Sequence, residues 1–255
     1  MKKSFLVFAA LSAILFASCG AKKVDIKSVS DLAGKTIGVQ AGTTGEAYVQ
    51  DNVKDANLKS FKTGIDAALA LANGAIDAIV LDELPAKEIV ARNNKLTIVN
   101  DEFASEEYAI AVKKGNTELL NSINSTIQKM KSDGTYEKLV ACFMPADGNI
   151  VIPEINGVDS TDVIRMGTNA SWAPFEYVEG TKVVGFDASM AQLVANDYGK
   201  KLQIVDMNFD GLIAALQSDA IDFIAAGMTA TEERRQNVDF SESYYKTNQV
   251  IIIRK

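Results

Sequence analysis

From about residue 24 onward, short β-rich runs alternate with stretches whose apolar positions recur at helical spacing. "TIGVQ" (36–40) predicts a strand, the Gly-containing "AGTTG" a turn, and "EAYVQDNV" a helix. "LKSF" predicts a short strand, and "GIDAALALANG" (64–74) a helix with a glycine stop. "AIDAIVL" (75–81) predicts a buried strand. "ELPAKEIVARNN" predicts a helix with Pro85 in its first turn, where a missing N–H costs little. "LTIV" (96–99) adds another strand. Strands alternating with helices predict an α/β layer with parallel strands.

"EEYAIAVKKG" (106–115) predicts a strand that leaves this first unit. Two helices follow, and in the first Leu119, Leu120, Ile123, Ile127 and Met130 form one apolar stripe. Residues 144–162 hold prolines and glycines and no helical period, and predict a linker or an extended surface strap. The α/β rhythm then restarts. "VIRMG" (163–167) predicts a strand, residues 187–199 a helix, and "LQIVDM" a strand. "FDGLIAALQSDA" predicts a helix and "IDFIAAG" (221–227) a strand. Thr231 stands where it can cap "EERR", and "NQVIIIRK" (248–255) predicts a further strand. "GIDAALALANGAIDAIVLDE" (64–83) and "FDGLIAALQSDAIDFIAAGM" (209–228) echo one another as helix, turn, "AID" and buried strand. Ligands of open α/β sheets sit beyond the carboxyl ends of strands, where Asp82 and Gly227 fall. Two α/β lobes with a cleft between them are the simplest architecture.

Composition narrows the function. Hydrophobic residues make up 47% of 255 and charged ones 23%, as in globular proteins. A net charge of −7 without a Lys/Arg cluster argues against a nucleic-acid partner. The chain has no histidine, which excludes a histidine triad, a His-ligated zinc and a histidine pH switch. Neither a metal nor a cofactor is expected. At the N-terminus, "MKK" and the apolar "SFLVFAALSAILF" lead to "FASC", as in a bacterial lipoprotein leader, although Phe16 departs from the usual leucine. Residues 1–18 are expected to be a signal peptide and Cys19 the lipidated residue, with a plain secretory signal as the alternative. Cys142, among apolar neighbours on a helix, is expected to be a buried inert thiol.

"GTNASWAPFEY", "GFDASMAQLVA" and "FDGLIAALQSDAIDFIAAGMTATEERRQNVDFSESYY" resemble the first lobe of bacterial extracellular solute-binding proteins for polar amino acids, which serve ABC importers. "DLAGKTIGVQAGTTGEAYV" and "ALANGAIDAIVLDE" resemble their second lobe, and "YAIAVKKGNTELLNSINSTIQKMKSDGTYEKL" their C-terminal portion. The resemblance covers nearly everything outside the leader and 144–162. It implies a two-lobed α/β periplasmic-binding-protein type II fold with a hinge and an interlobe cleft. The family order is first lobe, second lobe, return to the first. Here the second lobe comes first, so the resemblance implies a circular permutation joined by 144–162. Those residues reach roughly 60 Å if extended. The expected organisation is a tether and second lobe over 19–106, then a hinge strand and first lobe over 107–255. The chain is expected to cross between lobes once, near 103–112, with the end of the 248–255 strand beside that crossing.

The resemblance also implies roles. Arg234 matches the arginine that clamps an α-carboxylate; on spacing alone it reads as a surface residue, as does Arg235. Asp82 matches the acid that pairs with the ligand ammonium, and it could also cap the next helix. Thr43 and Thr44 would receive the carboxylate at a helix N-terminus. Gly227 and Thr229 would offer a carbonyl and a hydroxyl, and Trp172 and Phe209 would sandwich the side chain, although Phe209 could be ordinary packing. Asn169 and Gln40, both neutral, favour a glutamine-like ligand, while Glu46 and Asp187 leave a basic one open. The implied partners are a free polar amino acid and an ABC permease, with the membrane reached only through the lipid, and the protein is expected to be a monomer. Two alternatives stand beside this reading. One is an enzyme on the same fold, a dehydratase of cyclic prephenate-like acids using Asp82, Glu46 or Asp187 as general acid. The other is a sensing module, disfavoured because no further segment follows Lys255.

Overall fold

The computed structural model describes residues 25–255. The leader over 1–18 and Cys19 lie outside the described residues. After a 3-10 turn at Val29–Leu32 come β1 (Thr36–Gln40), α1 (Thr44–Asn52), β2 (Asn57–Phe61), α2 (Gly64–Ala72), β3 (Ala78–Asp82), α3 (Glu83–Ala91) and β4 (Leu96–Tyr108). Next are β5 (Ala111–Lys113), α4 (Thr117–Asp133), α5 (Thr135–Phe143), β6 (Val163–Thr168), β7 (Ser171–Trp172), β8 (Glu176–Glu179), β9 (Lys182–Val184), α6 (Phe186–Asp197) and β10 (Lys201–Asp206). A 3-10 turn at Phe209–Gly211 leads into α7 (Leu212–Gln217), β11 (Phe223–Ile224), α8 (Glu232–Arg235), β12 (Val238–Phe240) and β13 (Tyr245–Arg254).

Two five-stranded sheets form the lobes, ordered β2-β1-β3-β13-β4 and β10-β6-β11-β5-β12. In each, four strands run in one direction and one opposes them, β13 in the first sheet and β5 in the second. The expected parallel layers are therefore mixed. β7, β8 and β9 form a third small sheet that the hydrophobic pattern did not predict, because its strands are too short to show a period. The buried strand expected over 221–227 shrinks to Phe223–Ile224. The residues after it turn through Gly227, whose φ is +54°.

The expectation of a single crossing between the lobes is corrected. The chain leaves the second-lobe sheet after Tyr108 and enters the other at Ala111. It also leaves the first-lobe sheet after Phe240 and enters the second-lobe sheet at Tyr245. β13 pairs with β3 from Gln249↔Asp82 to Ile253↔Ala78, and with β4 from Tyr245↔Tyr108 to Arg254↔Leu96. Residues 245–254 thus belong to the second lobe and not, as the expected boundary had it, to the first. The physical reason is the aliphatic run Val250–Ile253, which needs cover on both faces. Val250, Ile251 and Ile252 are all buried in the centre of that sheet. It is the start of this strand, at Tyr245↔Tyr108, that lies beside the first crossing; its end pairs at Arg254↔Leu96, away from the crossing, which corrects the expected placement.

The two crossings are hydrogen-bonded to each other. The Ser241 amide donates to the Ile110 carbonyl (2.9 Å), the Tyr244 amide to the Tyr108 carbonyl (2.9 Å), and the Ile110 amide to Ser241 Oγ (2.9 Å). The strap over 144–162 forms no helix or strand. It is nevertheless fastened to the first lobe. Val151 N–H donates to Cys142 O (3.0 Å), Asn196 Nδ2 donates to Asn156 O (2.8 Å), and Val158 N–H donates to Asn196 Oδ1 (3.2 Å). Cys142 is half-buried rather than fully buried, and free.

Candidate functional site

The carboxyl ends of the parallel strands of both lobes converge on one pocket. It is lined by Gln40, Thr43 and Thr44 after β1, Asp82 at the end of β3, Trp172 in β7, Phe209 after β10, and Gly227, Thr229 and Arg234 after β11. Nine of the ten residues singled out in the sequence are thus brought together. The tenth, Asn169, sits one bond behind, accepting at Oδ1 from Gln40 Nε2 (3.1 Å).

Arg234 is placed by its helix. Thr231 caps α8, its hydroxyl accepting from the Arg234 amide (3.2 Å), so the side chain starts from a fixed turn. The guanidinium donates to Thr229 O (2.8 Å) and, across the cleft, to Gly42 O (2.8 Å). It also lies over the Phe209 ring at 5.4 Å. Arg235 points elsewhere, over Phe240 at 5.4 Å, and is exposed as expected. Burial pulls the Arg234 pKa down, and Glu106 and Asp82 push it back up.

Asp82 stands at the N-cap position of α3 but makes no side-chain cap hydrogen bond, which corrects that part of its expected role. Its oxygens are taken by residues of the two crossings: Tyr108 Oη donates to Oδ2, and Gln249 Nε2 donates to Oδ1 (2.6 Å). Burial raises its pKa to about 7; the Tyr108 and Gln249 hydrogen bonds hold it down, and nearby Glu106 pushes it up.

On the same wall, Thr43 caps α1, accepting from Glu46 N–H (3.3 Å) while donating to Gln40 O (2.7 Å). That leaves Thr44, in the first turn, at the anion-favouring helix end. Gln40 and Asn169 are largely spent on the protein. Gln40 Oε1 accepts from Gly64 N–H (3.0 Å), and Asn169 Nδ2 donates to Met207 O (2.8 Å). Two acids do not join the pocket lining. Glu46 accepts from Gly42 N–H (2.7 Å) and from Ser60 Oγ. Asp187 is fully buried behind Gly227. Neither is placed to meet a ligand side chain, which corrects the expectation that they keep a basic ligand open.

Trp172 is 5% exposed and donates from Nε1 to Tyr108 Oη (3.3 Å). Gly227 packs against it so closely that a Cβ there would lie 2.7 Å from Trp172 Nε1. Tyr108, Glu106 and Gln249 were missed. Their signal was legible in the period-two rhythm of a strand: Glu106, Tyr108, Ile110 and Val112 fall on alternate positions and are all buried. Gln249 stands in phase with Ile251 in an otherwise aliphatic run, and a polar residue there calls for a buried partner.

Two α/β lobes that meet over one polar pocket, with a guanidinium on one wall and a carboxylate on the other, define a bilobal cleft protein. The chain belongs to the bacterial extracellular solute-binding proteins, family 3, whose family model matches residues 21–146 and 164–255. Among curated relatives, the arginine-binding extracellular protein of Bacillus subtilis is 46% identical over 90 residues, 35% of this chain and 35% of that protein. The L-cystine-binding protein of Escherichia coli is 34% identical over 123 residues, 48% of this chain and 46% of that protein. In these alignments the chain spans less than half the length of the relatives it matches. Among solved structures, the arginine-bound form of domain 1 from TmArgBP is 38% identical over 40% of this chain and 87% of that chain, with a TM-score of 0.32. Among the described residues, no helix is long and apolar enough to cross a membrane.

Proposed function

We propose that this chain captures a free polar L-amino acid between its lobes and presents it to an ABC permease outside the cytoplasm, held to a membrane by lipid on Cys19. The carrying observation is the convergence of Arg234 from one lobe and Asp82 from the other on one pocket. A zwitterion that bridges them favours the closed form, because only that form offers both contacts. The named activities of the relatives, all amino-acid binding, support the class. Charge narrows the ligand. Among the described residues, Arg234 is the one cation lining the pocket, while Asp82 lines it and Glu106 is buried close by. With Gln40 and Asn169 bonded to each other, this balance favours a cationic side chain over a glutamine-like one.

The enzyme reading has less support. Glu46 and Asp187 stay off the pocket lining, leaving Asp82 as the acid that lines it. The permuted chain order is supported by the family match falling into two pieces either side of 147–163. The placement of Ile26 in one core with Ile251 supports it too.

The test is calorimetric titration of the protein with each of the twenty L-amino acids, after unfolding and refolding to strip carried-over ligand. Tight binding of arginine or lysine, lost in Arg234→Ala and Asp82→Ala, is expected. Binding of glutamine alone would overturn the charge argument. No binding by a folded sample, or turnover of a bound compound, would overturn the receptor reading.

A further inference from the structure

Behind Gly227 lies a pair of acids that ligand capture does not use. Glu176 of β8 and Asp187 in the first turn of α6 are both 0% exposed. Asp187 Oδ2 accepts from the Gly227 amide (2.9 Å) and from Tyr244 Oη (2.6 Å). Among the described residues, Asp187 Oδ1 and both oxygens of Glu176 meet no N–H or O–H donor. The backbone brings the two acids together, because the Asp187 amide donates to the carbonyl of Phe175, the residue before Glu176 (2.8 Å), and each carboxyl acts on the other.

Two adjacent carboxylates cannot both stay ionised in such a place. The groups that act on them from neighbouring elements are Tyr108 at the end of β4, Tyr136 of α5, Asp206 of β10, and Tyr244 beside the second crossing. None is a cation. Two unpaired buried charges would cost several kcal/mol each. A proton on Glu176 removes one charge and supplies a donor for the Asp187 carboxylate. The remaining charge on Asp187 is then served by Gly227 N–H and Tyr244 O–H. Burial and the neighbouring Asp187 push Glu176 upward in the same sense.

We infer that Glu176 and Asp187 share a single proton in the folded protein and together act as positioning residues, holding the Gly227 peptide in the left-handed turn that lines the pocket. The role in ligand binding rests on the amino-acid reading above; the shared proton does not.

The test separates the two. Carboxyl 13C NMR of the unliganded wild type, labelled at Glu and Asp, is expected to show one Glu that stays protonated through pH 7. Its resonance is assigned by its loss in Glu176→Gln. A protein whose glutamates are all ionised at pH 7 overturns the inference, with no variant needed. Stability gives a second readout. A carboxyl raised on folding stabilises fully below its unfolded value, about 4.3, and loses that contribution as pH rises through the folded value. The wild-type melting temperature is therefore expected to fall with pH more steeply than that of Glu176→Gln, whose amide donates at every pH; equal slopes count against the shared proton. For positioning, Glu176→Ala is expected to weaken amino-acid binding by ~10-fold, with Glu176→Gln restoring most of it. If Glu176→Ala binds as tightly as wild type, the positioning role is wrong even where the proton is found.

Discussion

Tyr108 donates its hydroxyl to the carboxylate of Asp82, so a residue at the first crossing holds the acid that faces the pocket. Gln249, from the strand of the second crossing, holds the other oxygen of the same group at 2.6 Å. A hinge strand and an acid of the pocket wall are thereby one mechanical unit. Removing the hydroxyl in Tyr108→Phe leaves Asp82 less well served and raises its pKa further. Amino-acid binding at pH 7 is expected to weaken by about tenfold, the worth of one hydrogen bond to a charged group, and to recover partly at higher pH. Titration at two pH values checks this; an affinity unchanged at both would mean that Tyr108 only packs.

Asp82 sets a pH dependence of its own. It must be ionised to pair with an ammonium, and burial has raised it to about 7. Ligand affinity should therefore climb with pH up to about 7 and fall by about tenfold per unit well below it. The unliganded fold runs the other way. A raised carboxyl contributes stability below its unfolded value and loses it as pH passes the folded value, here about 7. The shift in melting temperature caused by ligand should then grow between pH 5 and pH 8. Asp82→Asn should remove that growth.

Arg234 spans the cleft by donating to Thr229 O and Gly42 O, both at 2.8 Å. A lysine carries the charge but not the planar fork. Arg234→Lys is expected to weaken binding by roughly 1.5–3 kcal/mol, the worth of a charged hydrogen bond. Calorimetry is the check, and a lysine variant as tight as wild type would remove Arg234 from the site.

Trp172 is the only tryptophan of the chain, and it lines the pocket, so its emission should report ligand binding directly. Gly227→Ala would put a methyl 2.7 Å from its indole nitrogen, at a backbone φ of +54°. We expect a loss of about 1–3 kcal/mol in stability and a shifted emission maximum before any ligand is added. A silent substitution would show that the turn at Gly227 relaxes freely.

The chain order is testable by undoing it. Joining Lys255 to the segment before Ile26 and opening the chain within the 144–162 strap should yield the same lobes and the same affinity. A chain that then fails to fold would count against the permutation.

Much of this was legible in the sequence, because both sheets have parallel strands whose apolar runs and following turns are local signals. Asp82 and Gly227 could be picked because each ends a buried apolar run, whereas Arg234 was picked through the family resemblance, since on spacing alone it reads as a surface residue. The second crossing was not legible. "NQVIIIRK" reads as a buried strand in either lobe, and only long-range pairing with β3 and β4 decides between them. Tyr108 was missed because its hydroxyl matters through Asp82, distant in sequence, whereas its aromatic ring reads as ordinary core. Asp187 was misplaced for the opposite reason. Nearness in sequence to a pocket residue said nothing about which side of Gly227 it faces.

The position of β13 between β3 and β4 has a consequence for how the molecule comes into being. Those two strands are made early, yet the strand that joins them is made more than a hundred residues later. At ribosomal speeds of about 5–20 residues per second, their facing edges wait on the order of ten seconds for a partner. An open pair of strand edges invites wrong pairing, so the nascent second lobe is the stage at which this protein is most exposed to aggregation.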